Sequence, residues 1–408
     1  MTGDRHPMQS VGRGSHRADI LAATGADGVH QVFGVHGISD GAYVVVIHEG
    51  PVESIAIVRG GTILARSRTP GRSLRLSADD GGLTLTTSTF SRQDTVHRID
   101  VRRSVAECSL ILDVPLPAPP EGHLPGTATS ADGTAIPYQV HVDPDHCPLD
   151  EDGRPRPRAV VMYVYGGFGV VPRPFRSESL AGDWLSHGGG YGIAHIRGGG
   201  EFGPAWHESG MCAGKRAAAC DAAAVVADIR RRGWASPSTI GIHAMSNGAI
   251  PACALSLTPD GDPCHAHVGA VACQVPLADL RAFPTTVHGR SWIPEYGDPD
   301  DPTQWNGWIS DIDPLSLALR AADRAGGRPL PPFLVTGFRD DDVTPGNDAV
   351  RLAGALRAAG ADVTSPPLRP GTHVGAMSDR ARAAASAELW AFFRRTLLGA
   401  PGGGTAPA

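Results

Sequence analysis

The sequence predicts an α/β protein with a doubly wound, mostly parallel sheet and a smaller antiparallel β region ahead of it. Two observations support this prediction. Short apolar runs separated by turn residues fill the first part of the chain, and strand-like runs alternate with helical runs in the rest. A Pro-rich stretch at 116–126, LPAPPEGHLPG, separates the two parts and is typical of a linker. With 408 residues, the chain is long enough for two domains.

The first predicted domain, 1–115, is a small antiparallel β region. Its apolar runs recur about every 10 residues, a spacing that favours meandering strands such as the blades of a propeller. We expect the polar, Gly-rich residues 1–30 to be mobile. The runs that predict strands are AYVVVIHE, SIAIVR, TILARS, LTLTTSTF, HRIDV and SLILDV.

The second predicted domain, 127–398, shows the alternation that gives right-handed βαβ crossovers and therefore parallel strands. Helices are expected near 180–187 and 216–233 and at 378–397, and the tail 399–408 is expected to be disordered. Ligands of such sheets bind at the carboxyl ends of the strands. The predicted strands are AVVMYVYG, YGIAHIRG, TIGIHAMS, GAVACQV and PFLVTG.

Composition narrows the range of partners. A formal charge of −6 gives no broad basic surface, so we expect no nucleic-acid partner and favour a small molecule or a peptide as substrate. No apolar run approaches the roughly 20 residues of a membrane span, and we expect a cytoplasmic protein without a membrane partner. The seven cysteines contain no C-x-x-C pair, so neither a disulfide framework nor a zinc site is indicated.

Ser246 lies in TIGIHAMSNGAI, between a β-branched strand and an Ala-rich helical run. This is the strand–turn–helix context of a nucleophile elbow in the α/β-hydrolase fold, and Ala244 and Gly248 provide the small neighbours that the strained turn requires. A simple Ser-Asn-Gly turn is the alternative. Ala244 replaces the usual first glycine of the G-x-S-x-G motif, whereas residues 37–41 around Ser39 match it letter for letter. That match precedes a strand instead of a helix, and we assign Ser39 no role.

The chain order of this fold is nucleophile, acid, base, and both partners follow Ser246. Asp340 comes after the strand PFLVTG, and His373 lies in PGTHVGAM before the last helix. Either residue alone would more often be an ordinary solvated side chain. Because all three occur in the right order at strand ends, we predict a Ser246–His373–Asp340 triad, with Asp341 or another acid as the alternative partner of His373.

Six sequence blocks resemble the prolyl oligopeptidase family of serine peptidases, in that family's order and over roughly 125–398. The RGGGE-x-G-x-x-W-H block is the most specific of them. The blocks are YGGFGVVPRPF (165–175), IRGGGEFGPAWHESG (196–210), SNGA (246–249), SWIPEYG (291–297), FRDDDVTP (338–345) and GTHVG (371–375).

The resemblance implies further site residues. Tyr165 corresponds to the side-chain oxyanion donor, which acts together with the backbone N–H of Asn247. Trp292 corresponds to the aromatic residue that stacks on a substrate proline. Its neighbours in that pocket correspond to Phe168, Tyr296 and Val343.

Three features depart from the family pattern. The β region before the linker has room for about two propeller blades, and its strand edges favour a homodimer that pairs or covers them. Asp342 stands where the family often has an arginine that binds a substrate carbonyl, so a peptide anchor is replaced by an acceptor. Pro251 can remove a hydrogen bond near the start of the elbow helix.

The implied chemistry is acyl transfer through an acyl-enzyme on Ser246, with no metal and no cofactor. We expect a serine hydrolase that acts on short peptides or peptide-like amides and esters. An esterase, acyltransferase or cyclase of specialised metabolism is the enzymatic alternative. A non-catalytic binding or scaffold protein of the same fold is the alternative from another class.

Overall fold

The computed structural model describes residues 31–38, 41–79, 82–90, 93–104, 109–113, 120–175, 177–323, 329–376 and 378–399. The predicted mobile N-terminus, the predicted tail from residue 400 onward and Ser39 lie outside these residues. Within them, no helix is both long and apolar enough to cross a membrane.

An eight-stranded sheet forms the centre of the larger domain. Its order is β10-β11-β13-β12-β14-β15-β16-β17; β11 pairs antiparallel with β10 and β13, and every pairing from β13 to β17 is parallel. The doubly wound, mostly parallel sheet is therefore confirmed. The strands are β10 His123–Thr129, β11 Ala135–Val142, β12 Val160–Val164, β13 Gly190–Ala194, β14 Ile240–Met245, β15 Ala270–Gln274, β16 Phe333–Thr336 and β17 Val363–Thr364.

Helices cover both faces of this sheet. One face packs against α3, α4, α8 and α9 through an Ala-, Val- and Leu-rich core, and the other packs against α1 and α10 through Trp184, Trp390 and Phe393. The helices are α1 Glu178–Asp183, α2 Pro204–Glu208, α3 Lys215–Arg231, α4 Ala249–Leu257, α5 Ile293–Tyr296, α6 Pro302–Gln304, α7 Ser310–Ile312, α8 Pro314–Ala322, α9 Gly346–Ala358 and α10 Asp379–Phe393. Short 3₁₀ turns include Ser246–Gly248 and Gly289–Trp292.

The N-terminal β region is antiparallel, as predicted. Strands β1 to β4 form one four-stranded meander, β5 to β7 form a three-stranded sheet, and β8 and β9 form a hairpin. The strands are β1 Gln31–Gly37, β2 Ala42–Glu49, β3 Val52–Arg59, β4 Thr62–Pro70, β5 Ser73–Asp79, β6 Gly82–Ser88, β7 Thr95–Arg98, β8 Asp100–Ser104 and β9 Ser109–Asp113. A small hairpin in the larger domain pairs β18 Gly371–Thr372 with β19 Gly375–Ala376.

The β2–β3 hairpin packs against the loops that carry the site. Gly50 donates a backbone hydrogen bond to the carbonyl of Glu201, and a Cβ on Gly50 would lie 2.5 Å from the Phe202 ring. Glu53 of β3 accepts hydrogen bonds from Arg173 at 2.5 and 2.7 Å. Since Glu53 is buried, this ion pair holds the N-terminal sheet against the 165–175 loop.

Two sequence expectations need revision. Strand β10 begins at His123, inside the stretch predicted to be linker, and β11 carries no prediction at all. Cys220 of α3 and Cys264 are paired as a disulfide. The two cysteines lie 44 positions apart and form no short motif, so no sequence pattern indicated this pair. Cys147, Cys253 and Cys273 are buried free cysteines.

Candidate active site

Ser246 follows β14 directly and adopts a left-handed backbone conformation with φ of 53°. The close approach of β12 explains the small neighbour at position 248, where a Cβ would lie 2.4 Å from the carbonyl oxygen of Val164. A non-glycine residue with positive φ is uncommon and needs support from its surroundings. Strand, tight turn and helix α4 therefore form the predicted elbow with Ser246 at its tip.

His373 reaches Ser246 from the β18–β19 hairpin. Its Nε2 lies 3.0 Å from Ser246 Oγ, and its Nδ1 lies 3.0 and 3.2 Å from the two carboxylate oxygens of Asp341. The Thr344 hydroxyl lies 3.1 Å from the same Nδ1. Ser246, His373 and Asp341 are thus joined in one hydrogen-bonded chain, which is the arrangement of a catalytic triad.

The acid in this chain is Asp341, so the structure contradicts the prediction that Asp340 lies against His373. Asp341 is fully buried, and its Oδ1 accepts backbone hydrogen bonds from Val343 and Thr344, each at 2.9 Å. The turn after β16 directs this side chain inward. Asp340 is exposed, and its carboxylate accepts the backbone N–H of Gly371 at 3.2 Å.

Asp340 therefore lies beside the histidine loop and not against the imidazole. Its backbone N–H also donates to the carbonyl of Gly371 at 3.1 Å, which pairs the two loops two residues before His373. This arrangement fixes the position of the loop that carries the base.

Tyr165 lies at the end of β12 with its hydroxyl in contact with the Ser246 side chain. Burial raises the pKa of the Tyr165 hydroxyl and the hydrogen bond with Ser246 lowers it, and the resulting pKa is about 12. The hydroxyl thus stays protonated at neutral pH and can donate. Asn247 is buried; its side chain donates to the carbonyl of Tyr165 at 2.6 Å and accepts from the Tyr296 hydroxyl at 2.8 Å.

The predicted aromatic residues lie together beside the elbow. Phe168 makes edge contacts with Trp292 and Tyr296, with ring centroids 6.0 and 5.7 Å apart. The Phe283 ring packs against Trp292 and Tyr296. The side chains of Phe168 and Trp292 remain partly exposed. The structure thus brings three of the predicted pocket residues into one cluster.

Asp342 and Val343 continue the turn that starts with Asp341. Asp342 is exposed and Val343 is half-buried. Whether Asp342 faces a bound substrate stays a prediction.

A buried ion pair behind Phe168 was not found from the sequence. Glu295 accepts the backbone N–H of Phe168 at 3.0 Å, lies 2.7 Å from His207 Nε2 and forms an ion pair with Lys215. Burial raises the pKa of Glu295, but His207 and Lys215 outweigh it and the net pKa is lowered. The carboxylate thus stays charged and holds Phe168, whose φ is 57°.

Pro251 does not interrupt the elbow helix. It is the third residue of α4, which begins at Ala249. The first backbone N–H groups of a helix have no partner within it, so a proline costs little there.

Comparisons with known proteins agree with this geometry. Residues 178–400 match the model of the prolyl oligopeptidase family. The chain belongs to the prolyl oligopeptidase family. The resemblance drawn from the sequence blocks is therefore confirmed.

Two curated relatives show the extent of the similarity. An uncharacterized peptidase of Sinorhizobium fredii, y4nA, is 36% identical over 219 residues, which are 53% of this chain and 28% of that protein. The dual function macrocyclase-peptidase POPB of Galerina marginata is 30% identical over 187 residues, 46% of this chain and 24% of that protein. The chain matches about a quarter of the length of each.

A solved structure from the same family confirms the fold. Prolyl oligopeptidase B from Galerina marginata, bound to a 35mer hydrolysis and macrocyclization substrate, aligns with a TM-score of 0.71 at 22% identity. The alignment covers 90% of this chain and 51% of that one. Since 90% of the chain is covered, the similarity extends into the N-terminal β region.

Four residues at the site carried no sequence prediction, namely Thr344, Glu295, His207 and Lys215, and Asp341 was considered only as the alternative to Asp340. Thr344, His207 and Glu295 lie inside sequence blocks that carry the resemblance, so a signal for them was present. Lys215 lies outside those blocks, and only the fold brings it to Glu295.

Proposed function

We propose that this chain is a serine hydrolase that forms an acyl-enzyme on Ser246 and acts on short peptides or peptide-like amides and esters. The observation that supports it best is the continuous chain from Ser246 Oγ through His373 to Asp341, with contacts of 3.0 Å on each side of the imidazole. Family membership supports the same activity.

In the proposed reaction, His373 Nε2 takes the proton of Ser246 as Oγ attacks the substrate carbonyl carbon. Asp341 holds the proton of Nδ1 and stabilises the imidazolium that forms. The tetrahedral intermediate collapses when His373 returns the proton to the leaving amine or alcohol. Water then attacks the acyl-enzyme by the same route.

Oxyanion stabilisation is assigned to the Tyr165 hydroxyl and the backbone N–H of Asn247. The raised pKa of Tyr165 supports this role because a protonated phenol can donate to a developing alkoxide. Removal of one such donor typically costs about 10²- to 10³-fold in kcat.

The acyl side of the substrate is assigned to the cluster of Phe168, Trp292 and Tyr296, with Val343 as its neighbour. The partly exposed rings of Phe168 and Trp292 suit a flat, apolar ring such as proline, and Tyr296 is buried against Phe168. Asp342, next to Val343 in the turn after β16, adds a carboxylate that accepts hydrogen bonds. Substrates with an amine or guanidinium near the acyl group are therefore expected to be preferred.

Acyl transfer or cyclisation is the second candidate function. It is favoured by Asp342, which replaces a peptide-binding donor with an acceptor, and by the similarity to a macrocyclase-peptidase. Such a reaction uses the same acyl-enzyme but an amine in place of water. The two functions therefore differ only in the nucleophile of the second step.

The homodimer and the cytoplasmic location are also proposals. Strands β1 and β4 are the outer strands of the N-terminal meander, and their edges support association with a second copy. Sedimentation at micromolar concentration tests this: a dimer is expected, and a clean monomer would contradict the proposal.

A substrate panel tests the proposed activity. Prolyl peptides, matched esters and linear peptides with free N-termini are incubated with the wild-type chain and with Ser246→Ala, and products are identified by mass spectrometry. We expect Ser246-dependent cleavage of acyl-prolyl substrates. Cyclic or transferred products without cleavage would favour the second candidate, and identical product profiles for both proteins would overturn the proposal.

A further inference from the structure

Two histidines and an aspartate converge in the loop between α4 and β15. His265 Nε2 lies 3.2 Å from Asp260 Oδ1 and 3.0 Å from His267 Nδ1, and His267 Nε2 lies 4.0 Å from the same aspartate oxygen. One ligand atom from each residue lies within 4.8 Å of the other two. This H-x-H pair plays no part in the catalytic geometry.

These separations fit the coordination sphere of a small divalent ion. Ligand atoms about 2.0–2.1 Å from a tetrahedral zinc ion are separated by about 3.3 Å. His265 Nε2 lies close to that value from both Asp260 Oδ1, at 3.2 Å, and His267 Nδ1, at 3.0 Å. Since one ligand atom of each residue lies within 4.8 Å of the other two, side-chain rotations can direct the three atoms at one point.

The loop is held in place by several contacts. Cys264, next to His265, is joined by the disulfide to Cys220 of α3, and Asp262 forms an ion pair with Arg216 of the same helix. The backbone N–H of Ala266, between the histidines, donates to the carbonyl of Leu255 in α4. A loop that is fixed before and between the histidines lowers the entropy cost of binding an ion.

The three side chains differ in their exposure, and the site that they form is open to solvent on one side. The exposed fraction is 12% for His265, 32% for His267 and 64% for Asp260. All three line a surface groove of about 790 Å³. An ion can thus enter from the groove, where water can complete its coordination.

From these contacts we propose that Asp260, His265 and His267 bind a divalent transition-metal ion of the zinc class. Imidazole nitrogens suit Zn²⁺, Cu²⁺ and Ni²⁺, whereas Mg²⁺ and Ca²⁺ prefer oxygen ligands. No zinc site was expected from the sequence because its cysteines form no C-x-x-C pair, whereas this ligand set contains no cysteine.

The proposed ion is structural and not part of the reaction. Ser246 precedes the amino end of α4, and Asp260 lies beyond its carboxyl end. Nine helical residues, or about 13 Å of helix, separate the two. Bound there, the ion links the end of α4 to the segment that leads into β15.

The test is a zinc titration of the chelator-treated full chain. Calorimetry gives affinity and stoichiometry, and native mass spectrometry counts bound ions. The wild type is compared with the double variant His265→Ala/His267→Ala and with Asp260→Asn, whose exposed side chain can be changed without disturbing the core. The matched control is His146→Ala, which removes a histidine from an exposed pair with Asp143 that lacks a second imidazole.

We expect the wild type and the control to bind one more zinc ion than the double variant. Asp260→Asn should weaken that site at least tenfold. The proposal is overturned if the double variant binds zinc with the same stoichiometry and affinity as the wild type. If the double variant does not fold, unchanged affinity in Asp260→Asn overturns it instead.

Discussion

Three non-glycine residues with positive φ lie around the nucleophile. They are Ser246 at 53°, Phe168 at 57° and Val275 at 44°. Each is held by a specific partner: the carbonyl of Ser246 accepts from Leu277 N–H, Phe168 donates to Glu295, and Val275 donates to the carbonyl of Thr336. Such backbone strain persists only where the surroundings enforce it, and it clusters at functional sites.

At this scale, the sequence could locate the site but could not choose among adjacent residues. Chain order and strand context were enough to identify Ser246 and His373, which the structure brings within 3.0 Å. Three aspartates in a row follow β16, and a turn points successive side chains in different directions. Only the fold shows that Asp341 turns inward.

The first prediction separates the adjacent aspartates. Asp341→Asn should fold normally and lose about 10³- to 10⁴-fold in turnover, because the imidazole is then held in the wrong tautomer. Asp340→Asn should lose far less, since within the described residues that side chain bonds to the Gly371 backbone and not to His373. Steady-state kinetics on both variants measure the difference, and the reverse order would show that Asp340 orients His373.

At the scale of elements, the 165–169 loop is positioned by two helices that are distant from it in the sequence, α3 and α5. Lys215 at the start of α3 and Glu295 in α5 form a buried ion pair that holds Phe168. Lys215 Nζ also donates to the carbonyl of Gly166 at 3.2 Å. The loop that carries Tyr165 and Phe168 is thereby tied to two separate elements.

Long periodic elements were predictable, and irregular ones were not. The Ala-rich run predicted α3 to within two residues of its ends, and AYVVVIHE coincides with β2. Strand β1 and the β10–β11 hairpin were missed because their sequences mix polar residues, glycine and proline with apolar ones. In such segments, pairing with neighbouring strands decides the structure more than local propensity does.

The second prediction concerns the buried pair. Glu295→Gln should leave the Lys215 charge unpaired, lower the free energy of unfolding by about 3 kcal/mol and loosen Phe168. Lys215→Met in the same chain should recover part of that loss. Urea unfolding of the single and double variants completes a double-mutant cycle, and strictly additive effects would contradict coupling between the two residues.

At the scale of the whole molecule, the N-terminal sheets pack directly on the catalytic domain. Glu53 supplies a polar contact between them because it accepts hydrogen bonds from Arg173 of the catalytic domain. Within the N-terminal sheets it also accepts from the backbone of Leu74 and from His48. Burial alone would raise the pKa of Glu53, but Arg173 and His48 lower it to about 2. The pattern of apolar runs predicted an antiparallel β region and an α/β domain, yet the contacts between the two have no sequence signature.

The third prediction tests this interface. A pKa that falls from 4.5 to about 2 on folding corresponds to about 3 kcal/mol of stability. Glu53→Gln should remove about that much at pH 7, whereas Asp152→Asn, in an exposed pair with Arg154, should cost under about 1 kcal/mol. Chemical denaturation measures both free energies.

The sign of the pH dependence provides a second check on Glu53. Because the pKa of Glu53 is lowered in the folded state, its contribution to the free energy of unfolding is complete above about pH 4.5. That contribution is lost as the pH falls toward about 2. The stability difference between wild type and Glu53→Gln should therefore shrink on acidification. A difference that stays constant or grows over that range would contradict the assigned ion pair.

The most direct test of the central claim is covalent labelling with a fluorophosphonate followed by peptide mapping. Only a hydroxyl activated by a neighbouring base reacts at a useful rate, so the wild-type chain should carry one adduct on Ser246. Ser246→Ala should abolish the adduct, and His373→Ala should slow its formation by orders of magnitude. A folded wild-type chain that stays unlabelled, or an adduct on another serine that survives Ser246→Ala, would contradict the claim that Ser246 is the nucleophile of an active hydrolase.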